Sequence, residues 1–235
     1  MKLKELSVFF PAYNEAVALK ETVEKADKIL TKIAEDYEIL IIDDGSKDKT
    51  GEIADQLAKK NKKILVIHHP QNRGYGAALK SGFYKAKYPW IVFTDADGQF
   101  DFSEVNKFFK AQKKTNADLV IGYYLQRKVS FYRILASKYL WELPVFFLFG
   151  LKVKDIDCGF KLIKKEVIEK IPKLEAERGP FITTEFLVKA KKAGFKMVEV
   201  GVHHYPRKAG QATGASLKVI FSAYSDLIKL WKKLK

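Results

Sequence analysis

Residues 38–60 read EILIIDDGSKDKTGEIADQLAKK, and the fold class follows from this stretch. Residues 38–43 form a short β-branched run, which is typical of a buried strand, and residues 50–60 carry apolar side chains at helical spacing. Between them lies Asp43-Asp44-Gly45-Ser46, whose residue types favour a turn. A strand, a polar turn and a helix in this order predict one repeating unit of a parallel sheet.

The same unit recurs on both sides of this stretch. The predicted strands are Leu6–Phe10, Glu38–Asp43, Ile64–His68, Ile91–Thr94 and Leu119–Ile121. The predicted helices between them are Ala16–Ala34, Thr50–Lys60, Ala77–Ala86 and Ser103–Lys113. This alternation predicts an α/β fold: a Rossmann-like, mostly parallel central sheet with helices on both faces.

The pattern changes after residue 122. Residues 131–150 form a long aromatic and aliphatic stretch, and the elements expected beyond it are a strand over Asp155–Ile163, a helix over Thr184–Ala193 and a strand over Val198–His204. Residues 217–234 then place apolar side chains at helical spacing opposite lysines, which predicts an amphipathic basic helix. Such a helix either packs on the domain or lies on an anionic membrane, and the sequence leaves both possibilities open.

The composition describes a globular and strongly basic chain. Its 235 residues are 47% hydrophobic, enough for one well-packed domain, and its net charge is +15. Such a surface attracts phosphates, and 38 Lys against five Arg favour a general positive field over base-specific contacts.

Targeting and membrane features point to an intracellular chain. The N-terminal residues lack the pattern of a signal peptide, and a single cysteine excludes an internal disulfide. The most apolar run, Tyr139–Leu151, is interrupted by Glu142 and Pro144 and is shorter than the ~20 residues that a membrane-spanning helix needs. We therefore expect no membrane-spanning helix.

Polar clusters follow four of the predicted strands. They are Pro11–Glu15, Asp43–Ser46, Asn72–Gly76 and Asp95–Gln99. One such cluster alone is usual for a turn and a helix N-cap. Because ligands bind beyond the carboxyl ends of strands in an open α/β sheet, four clusters at one edge indicate a binding site.

Asp95-Ala96-Asp97 is the cluster with the clearest chemistry. Two carboxylates this close repel each other unless a cation or donors lie between them, and hard oxygen ligands beside a diphosphate select Mg²⁺ or Mn²⁺. Gln99 adds a neutral oxygen or orients a water there. The alternative is an acidic turn that caps the helix near Ser103.

The glycines of Asn72-Arg73-Gly74-Tyr75-Gly76 belong to another kind of turn. Leu79 stands where a dinucleotide-binding fingerprint has glycine, and no P-loop follows, so NAD and Walker-type sites are excluded. The turn allows a close backbone approach at a helix N-terminus, with Arg73 nearby for negative charge.

Taken together, five motifs resemble one family. They lie at residues 8–15, 41–46, 72–76, 95–99 and 157–161. In their order and spacing they resemble the family 2 glycosyltransferases of the GT-A fold, in particular the polyprenyl-phosphate (dolichyl-phosphate) mannose and glucose synthases. The resemblance implies metal-dependent, inverting transfer of a hexose from a nucleotide-diphosphate sugar, of the GDP-mannose or UDP-glucose type, to a polyprenyl phosphate.

The resemblance also implies roles for individual residues. The residues that it implies as contacts of the base and ribose are Pro11, Tyr13, Glu15, Ile42 and Asp44. Those implied for the diphosphate and for Mg²⁺ or Mn²⁺ are Asp95, Ala96, Asp97 and Gln99, with Arg73 and Arg207 as basic partners of the nucleotide. Those implied for the lipid phosphate are Arg133 and Ser137, with Arg127 replacing an arginine that similar enzymes carry directly after Ile121-Gly122.

The acceptor decides whether a general base is needed. A phosphate monoester has a second pKa near ~6 and is already ionised at pH 7, so that positioning by Arg127 and Arg133 replaces deprotonation. The alternative acceptor is a glycan or polysaccharide hydroxyl, which would require a carboxylate base, and Glu185 is the candidate. Glu185 has a second interpretation, as an acidic residue stabilised near a helix N-terminus.

We expect one GT-A domain over residues 1–207, with a nucleotide-sugar half over about 1–99 and an acceptor half over about 100–207. Residues 208–235 are expected to form a flexible loop and the amphipathic helix. That helix and residues 139–151 would make a platform for the lipid at the cytoplasmic face of a membrane, unless 139–151 is a buried core helix.

The remaining alternative is a basic module that binds nucleic acid. The acidic edge of the sheet and the lack of RNA-binding motifs or a helix-turn-helix pattern argue against it. We therefore expect no nucleic-acid partner.

Overall fold

The structure is a computed structural model that describes residues 3–126, 138–207 and 217–235. The roles predicted for Arg127, Arg133 and Ser137 lie outside the described residues, and so does the loop expected over 208–216.

The described chain alternates strands and helices. The strands are β1 Leu3–Ala12, β2 Ala34–Asp43, β3 Ile64–His68, β4 Trp90–Phe93, β5 Leu119–Tyr124, β6 Lys161–Lys164 and β7 Met197–Val202. The helices are α1 Leu19–Ile33, α2 Thr50–Lys60, α3 Tyr75–Lys85, α4 Val105–Thr115, α5 Leu143–Phe149, α6 Lys165–Lys170, α7 Phe181–Lys192 and α8 Leu217–Leu234. A 3₁₀ turn, Phe102–Glu104, precedes α4, and a π turn, Lys138–Glu142, precedes α5.

The strands form one sheet in the order β3-β2-β1-β4-β6-β5-β7. All neighbours are parallel except that β6 runs antiparallel to both β4 and β5. The mostly parallel sheet predicted from the sequence is therefore confirmed. Its parallel strands end at a common edge, which is where the polar clusters were expected to meet.

Several predicted boundaries shift by a few residues, and two of them have an identifiable hydrogen-bonding context. The strand predicted over Asp155–Ile163 is wrong in its first part, because the Asp157 N–H donates to Asp155 Oδ1 at 3.0 Å and bends residues 155–160 into a loop. The first helix begins at Leu19 rather than Ala16. The N–H groups of Glu15 and Ala16 donate instead to Thr50 Oγ1 and Asp48 Oδ2.

Apolar side chains fill both faces of the sheet. On one face the rings of Phe9, Phe83 and Phe93 lie 5.2 to 5.5 Å apart, and on the other Phe160 stacks on Phe108 at 4.6 Å. Gly82 of α3 contacts the Phe9 ring so closely that a Cβ there would lie 2.3 Å from it. Such contacts fix α3, and with it the glycine turn, against the sheet.

The C-terminal helix packs on the domain through part of its apolar face. Ala223, Leu227 and Leu230 are buried in the same core as α7. The packed interpretation of α8 is thus confirmed for these side chains, while Ile228 is half exposed. Among the residues that the structure describes, every helix is either too short or too polar to cross a bilayer.

Candidate active site

The loops that follow β1 and β2 are joined into one wall. The Asn14 N–H donates to Ser46 Oγ at 3.0 Å, and the Lys47 N–H donates back to Asn14 Oδ1 at 2.8 Å. Asn14 adopts a left-handed backbone, φ 57°, which asparagine tolerates better than most residues. The wall brings together Pro11 and Ile42, which are register partners on β1 and β2.

Asp44 ties this wall to the loop that follows β3. Its buried carboxylate accepts hydrogen bonds from the Arg73 N–H at 3.0 Å and the Gly74 N–H at 2.7 Å, and it lies 2.6 Å from His69 Nδ1. These three contacts occupy most of the acceptor capacity of the carboxylate. Asp44 therefore shapes the glycine turn, whatever further contact its remaining lone pair makes.

The glycine turn is approached closely by the protein itself. A Cβ on Gly76 would lie 2.7 Å from the Ala176 carbonyl oxygen, and the Ala77 N–H donates to the Glu177 carbonyl at 3.0 Å. Arg73, expected at the nucleotide, instead pairs with the exposed Glu177 side chain at 3.0 Å. Residues 175–177 thus cover the N-terminus of α3, where the sequence indicated a close approach by a ligand.

Glu185 orders that covering segment. Its buried carboxylate accepts hydrogen bonds from the N–H groups of Glu175 (2.9 and 3.1 Å) and Ala176 (2.8 Å) and from Lys189 Nζ (2.6 Å). Lys189 Nζ also donates to the Lys173 carbonyl. The two oxygens of Glu185 are occupied by donors of the chain, so its surroundings lend no support to the role of general base.

Asp95 has fewer donors than Glu185, whereas Asp97 accepts from the Gln99 N–H at 3.0 Å and from Arg207. Among the described residues Asp95 accepts one hydrogen bond, from the Tyr75 hydroxyl at 3.0 Å, and it packs directly against Gly159, where a Cβ would lie 2.2 Å from Asp95 Oδ2. Burial and the neighbouring charge of Asp97 raise the pKa of Asp95 to about 7, against the opposing effect of the Tyr75 hydrogen bond. Asp95 is therefore the less well compensated carboxylate of the two at the end of β4.

Arg207 bridges this pair and the first loop. Its guanidinium contacts Asp97 Oδ2 at 2.9 Å and Glu15 Oε1 at 3.0 Å. Burial raises the pKa of Glu15 to about 7; Arg207 opposes this shift and the charge of Asp97 adds to it. Arg207 therefore holds the loops after β1 and β4 together, on the side where a diphosphate was expected.

Gln99 supports Arg207 in a way that the sequence did not indicate. Its side-chain amide donates to the Tyr205 carbonyl at 2.8 Å, and its backbone carbonyl accepts from the Tyr205 N–H at 2.8 Å. These two bonds hold residues 205–207 beside Asp97. The side-chain oxygen of Gln99 is the atom that remains for a cation, as predicted from the sequence.

The donor set at Asp95 and Asp97 fits Mg²⁺ or Mn²⁺. Both carboxylates supply hard oxygen ligands, and a divalent cation would offset the repulsion that raises the pKa of Asp95. Within residues 3–126, 138–207 and 217–235, no three His, Cys, Asp or Glu side chains converge as a closed metal site. A cation here would therefore need ligands from a bound diphosphate or from water.

The acceptor half presents an unusual apolar surface. Five large side chains of the π turn and α5 are exposed: Tyr139, Leu140, Leu143, Phe146 and Phe147. Phe147 reaches 74% exposure, while Val145 on the opposite side of α5 is fully buried. The interpretation of residues 139–151 as a buried core helix is therefore correct only for the inner face.

Comparison with known proteins agrees with this geometry. The family model described as glycosyl transferase family 2 matches residues 7–172, which include all five motifs. This chain belongs to that family. The resemblance inferred from the motifs is thereby confirmed.

Two curated relatives of this family 2 chain are dolichyl-phosphate beta-glucosyltransferases. The protein of Dictyostelium discoideum is 33% identical over 216 residues, 84% of this chain and 65% of that protein. The protein of Homo sapiens is 31% identical over 221 residues, 85% of this chain and 67% of that protein. This chain thus spans only about two thirds of the length of these relatives.

Solved structures share the fold. Mannosyl-3-phosphoglycerate synthase from Rubrobacter xylanophilus superposes with a TM-score of 0.74 at 16% identity, covering 98% of this chain and 74% of that one. Glucosyl-3-phosphoglycerate synthase from Mycobacterium tuberculosis, in complex with Mn²⁺ and UDP-glucose, gives 0.71 at 17% identity, with 98% and 79% covered. These similarities confirm the GT-A type of sheet.

Proposed function

We propose that this chain transfers a hexose from a nucleoside-diphosphate sugar to a polyprenyl phosphate, with Mg²⁺ or Mn²⁺ held at Asp95 and Asp97. The observation that carries the proposal is this carboxylate pair at the end of β4, in which Asp95 lies beside the like charge of Asp97 and has a raised pKa. Membership of family 2 and the names of the relatives favour sugar transfer to a lipid phosphate.

The donor would lie along the edge formed by β2, β1 and β4. In this proposal Pro11, Tyr13, Ile42 and the remaining lone pair of Asp44 contact the base and ribose. Arg207 turns from Glu15 and Asp97 toward the diphosphate and stabilises its negative charge as it leaves. The cation, when bound, supplies further neutralisation of the leaving group.

A phosphate acceptor suits the surroundings of Glu185. A lipid phosphate is already ionised at neutral pH, so in-line attack on the anomeric carbon depends on positioning rather than on a base. Because both oxygens of Glu185 are engaged by donors of the chain, the hydroxyl acceptor is the weaker alternative. Arg127, Arg133 and Ser137 are the residues proposed to hold the lipid phosphate.

The lipid would reach the site from a membrane surface. The π turn that precedes the exposed side chains of α5 packs against α8: the Tyr224 ring is 5.6 Å from Trp141, and Lys229 of α8 is exposed. Apolar side chains beside lysines suit the interface of an anionic bilayer. We place this peripheral contact at the cytoplasmic face, as the sequence predicts.

The experiment that tests this function is a product assay. The purified protein is incubated with Mg²⁺ or Mn²⁺, with UDP-glucose or GDP-mannose, and with a short-chain polyprenyl phosphate. We expect a sugar-phosphate lipid by mass spectrometry, which is lost in EDTA and reduced by Arg133→Ala. Donor binding without a lipid product under any of these conditions would contradict the phosphate acceptor and favour a hydroxyl.

A further inference from the structure

The motif at residues 157–161 has no role in the site so far, yet the topology brings it there. Because β6 runs antiparallel between β4 and β5, the loop that enters β6 lies at the edge where β4 ends. The contact between Gly159 and Asp95 Oδ2 fixes this position, since there is no room for a side chain at residue 159. Residues 155–160 therefore come next along the edge, on the side away from β1 and β2.

Asp157 is the exposed carboxylate of this loop. The Thr183 hydroxyl lies 3.3 Å from Asp157 Oδ1. Asp157 lies two residues before Gly159, which packs directly against Asp95 Oδ2.

The loop that carries Asp157 is firmly held. Lys161 Nζ is buried and donates to the carbonyls of Ile156 and Cys158, while the Asp157 N–H donates to Asp155. A side chain on such a support is preorganised, so that binding loses little conformational entropy.

We propose that Asp157 contacts the hexose of the donor and accepts hydrogen bonds from its hydroxyl groups. The inference rests on the proposed function. A donor with its base at β1 and β2 and its diphosphate at Asp95 and Asp97 extends its hexose past β4, where Asp157 is the exposed acidic side chain of the next loop. A carboxylate accepts from two neighbouring sugar hydroxyls, and its charge stabilises an oxocarbenium-like transition state.

The test separates the sugar from the nucleotide. Binding of a nucleoside diphosphate and of the matching nucleotide sugar, both with Mg²⁺, is measured by calorimetry for the wild-type protein and Asp157→Asn. We expect the variant to bind the nucleoside diphosphate within twofold of the wild type. Its affinity for the nucleotide sugar should fall about 10-fold, as for a lost charged hydrogen bond, and its kcat should fall by at least as much.

Asp226→Asn is the matched control, since it removes one carboxylate from α8, where Asp226 pairs with Lys229 three residues later. It should change neither affinity. Full sugar affinity and turnover in Asp157→Asn would overturn the inference, and so would an equal loss for both ligands, which would mean that Asp157 acts through Asp95. A wild-type protein that binds no nucleotide sugar would instead contradict the proposed function.

Discussion

Glu185 on α7 and Asp95 after β4 are two carboxylates with very different surroundings. Glu185 accepts from two backbone N–H groups and from the Lys189 ammonium, so its charge is balanced by the chain. Asp95 accepts from the Tyr75 hydroxyl and lies near the like charge of Asp97, and the positive charges of Lys161 and Arg207 compensate it only in part. A carboxylate whose charge is balanced by the chain holds the structure together, whereas one whose charge is poorly balanced is suited to a ligand.

The largest effect is expected from removal of the balanced charge of Glu185. Glu185→Gln leaves the buried Lys189 ammonium without its counter-ion and should lower the free energy of unfolding by about 3–5 kcal/mol. Urea unfolding followed by circular dichroism measures the loss. Glu169→Gln, at an exposed pair on α6, should cost less than ~1 kcal/mol. A loss below ~1 kcal/mol for Glu185→Gln would show that Glu185 does not hold the fold.

Removal of one charge from the Asp95 and Asp97 pair should reduce ligand binding rather than stability. Asp97→Asn eliminates the repulsion with Asp95 and should not reduce stability, although it also loses the contact with Arg207. It should weaken binding of a nucleoside diphosphate with Mn²⁺ by about 100-fold, equivalent to ~2.7 kcal/mol. Calorimetry with and without Mn²⁺ checks this. Unchanged affinity would exclude Asp97 from the cation site.

The free energy of unfolding should depend on pH through Asp95. The pKa of Asp95 is about 7 in the folded state and ~3.9 when the chain is unfolded, so its ionisation destabilises the fold above pH 7. This cost disappears as pH falls through 7 toward ~4. In EDTA, unfolding should therefore cost about 1 kcal/mol more at pH 6 than at pH 8 on account of Asp95.

Thermal or urea unfolding of Asp95→Asn at both pH values is the check. The difference between pH 6 and pH 8 should shrink by the share that belongs to Asp95, and Glu15, whose pKa is also about 7, should account for part of the remainder. An unchanged difference in Asp95→Asn would mean that Asp95 is ionised at no cost in the metal-free protein.

The smallest effect is expected on the outer side of the segment that Glu185 holds. Arg73 pairs there with Glu177 in an exposed position, and Arg73→Ala should lower the free energy of unfolding by less than ~1 kcal/mol. Nucleoside diphosphate affinity should change less than twofold. A tenfold loss of affinity would show that Arg73 contacts the nucleotide, as the sequence predicts.

The sequence predicts the sheet well because local rules decide it. β-branched runs and helical periodicity place the first five strands and four helices, and the ends of parallel strands then necessarily meet. For the same reason Asp44, Asp95 and Asp97 could be assigned to one edge. The turn at Asp155 was not predicted, because the apolar residues after it are typical of a strand.

Contacts between distant residues could not be predicted in this way. Gly76 makes room for the backbone of residues 176 and 177, about a hundred positions later, and nothing in the local pattern identifies that partner. Glu185 likewise reads as an ordinary residue near a helix N-terminus until the N–H groups of Glu175 and Ala176 are seen to surround it. Such assignments depend on tertiary packing rather than on spacing.

The place of β6 in the sheet also has a consequence for the order in which the chain folds. β5 pairs with β6 and β7 and not with β4, although β4 precedes it in the sequence. During synthesis the apolar strand Leu119–Tyr124 emerges before either of its partners, and β6 follows only some 40 residues later. The first four strands can form a sheet while β5 is still unpaired. The chain is therefore exposed to aggregation until β6 has been synthesised.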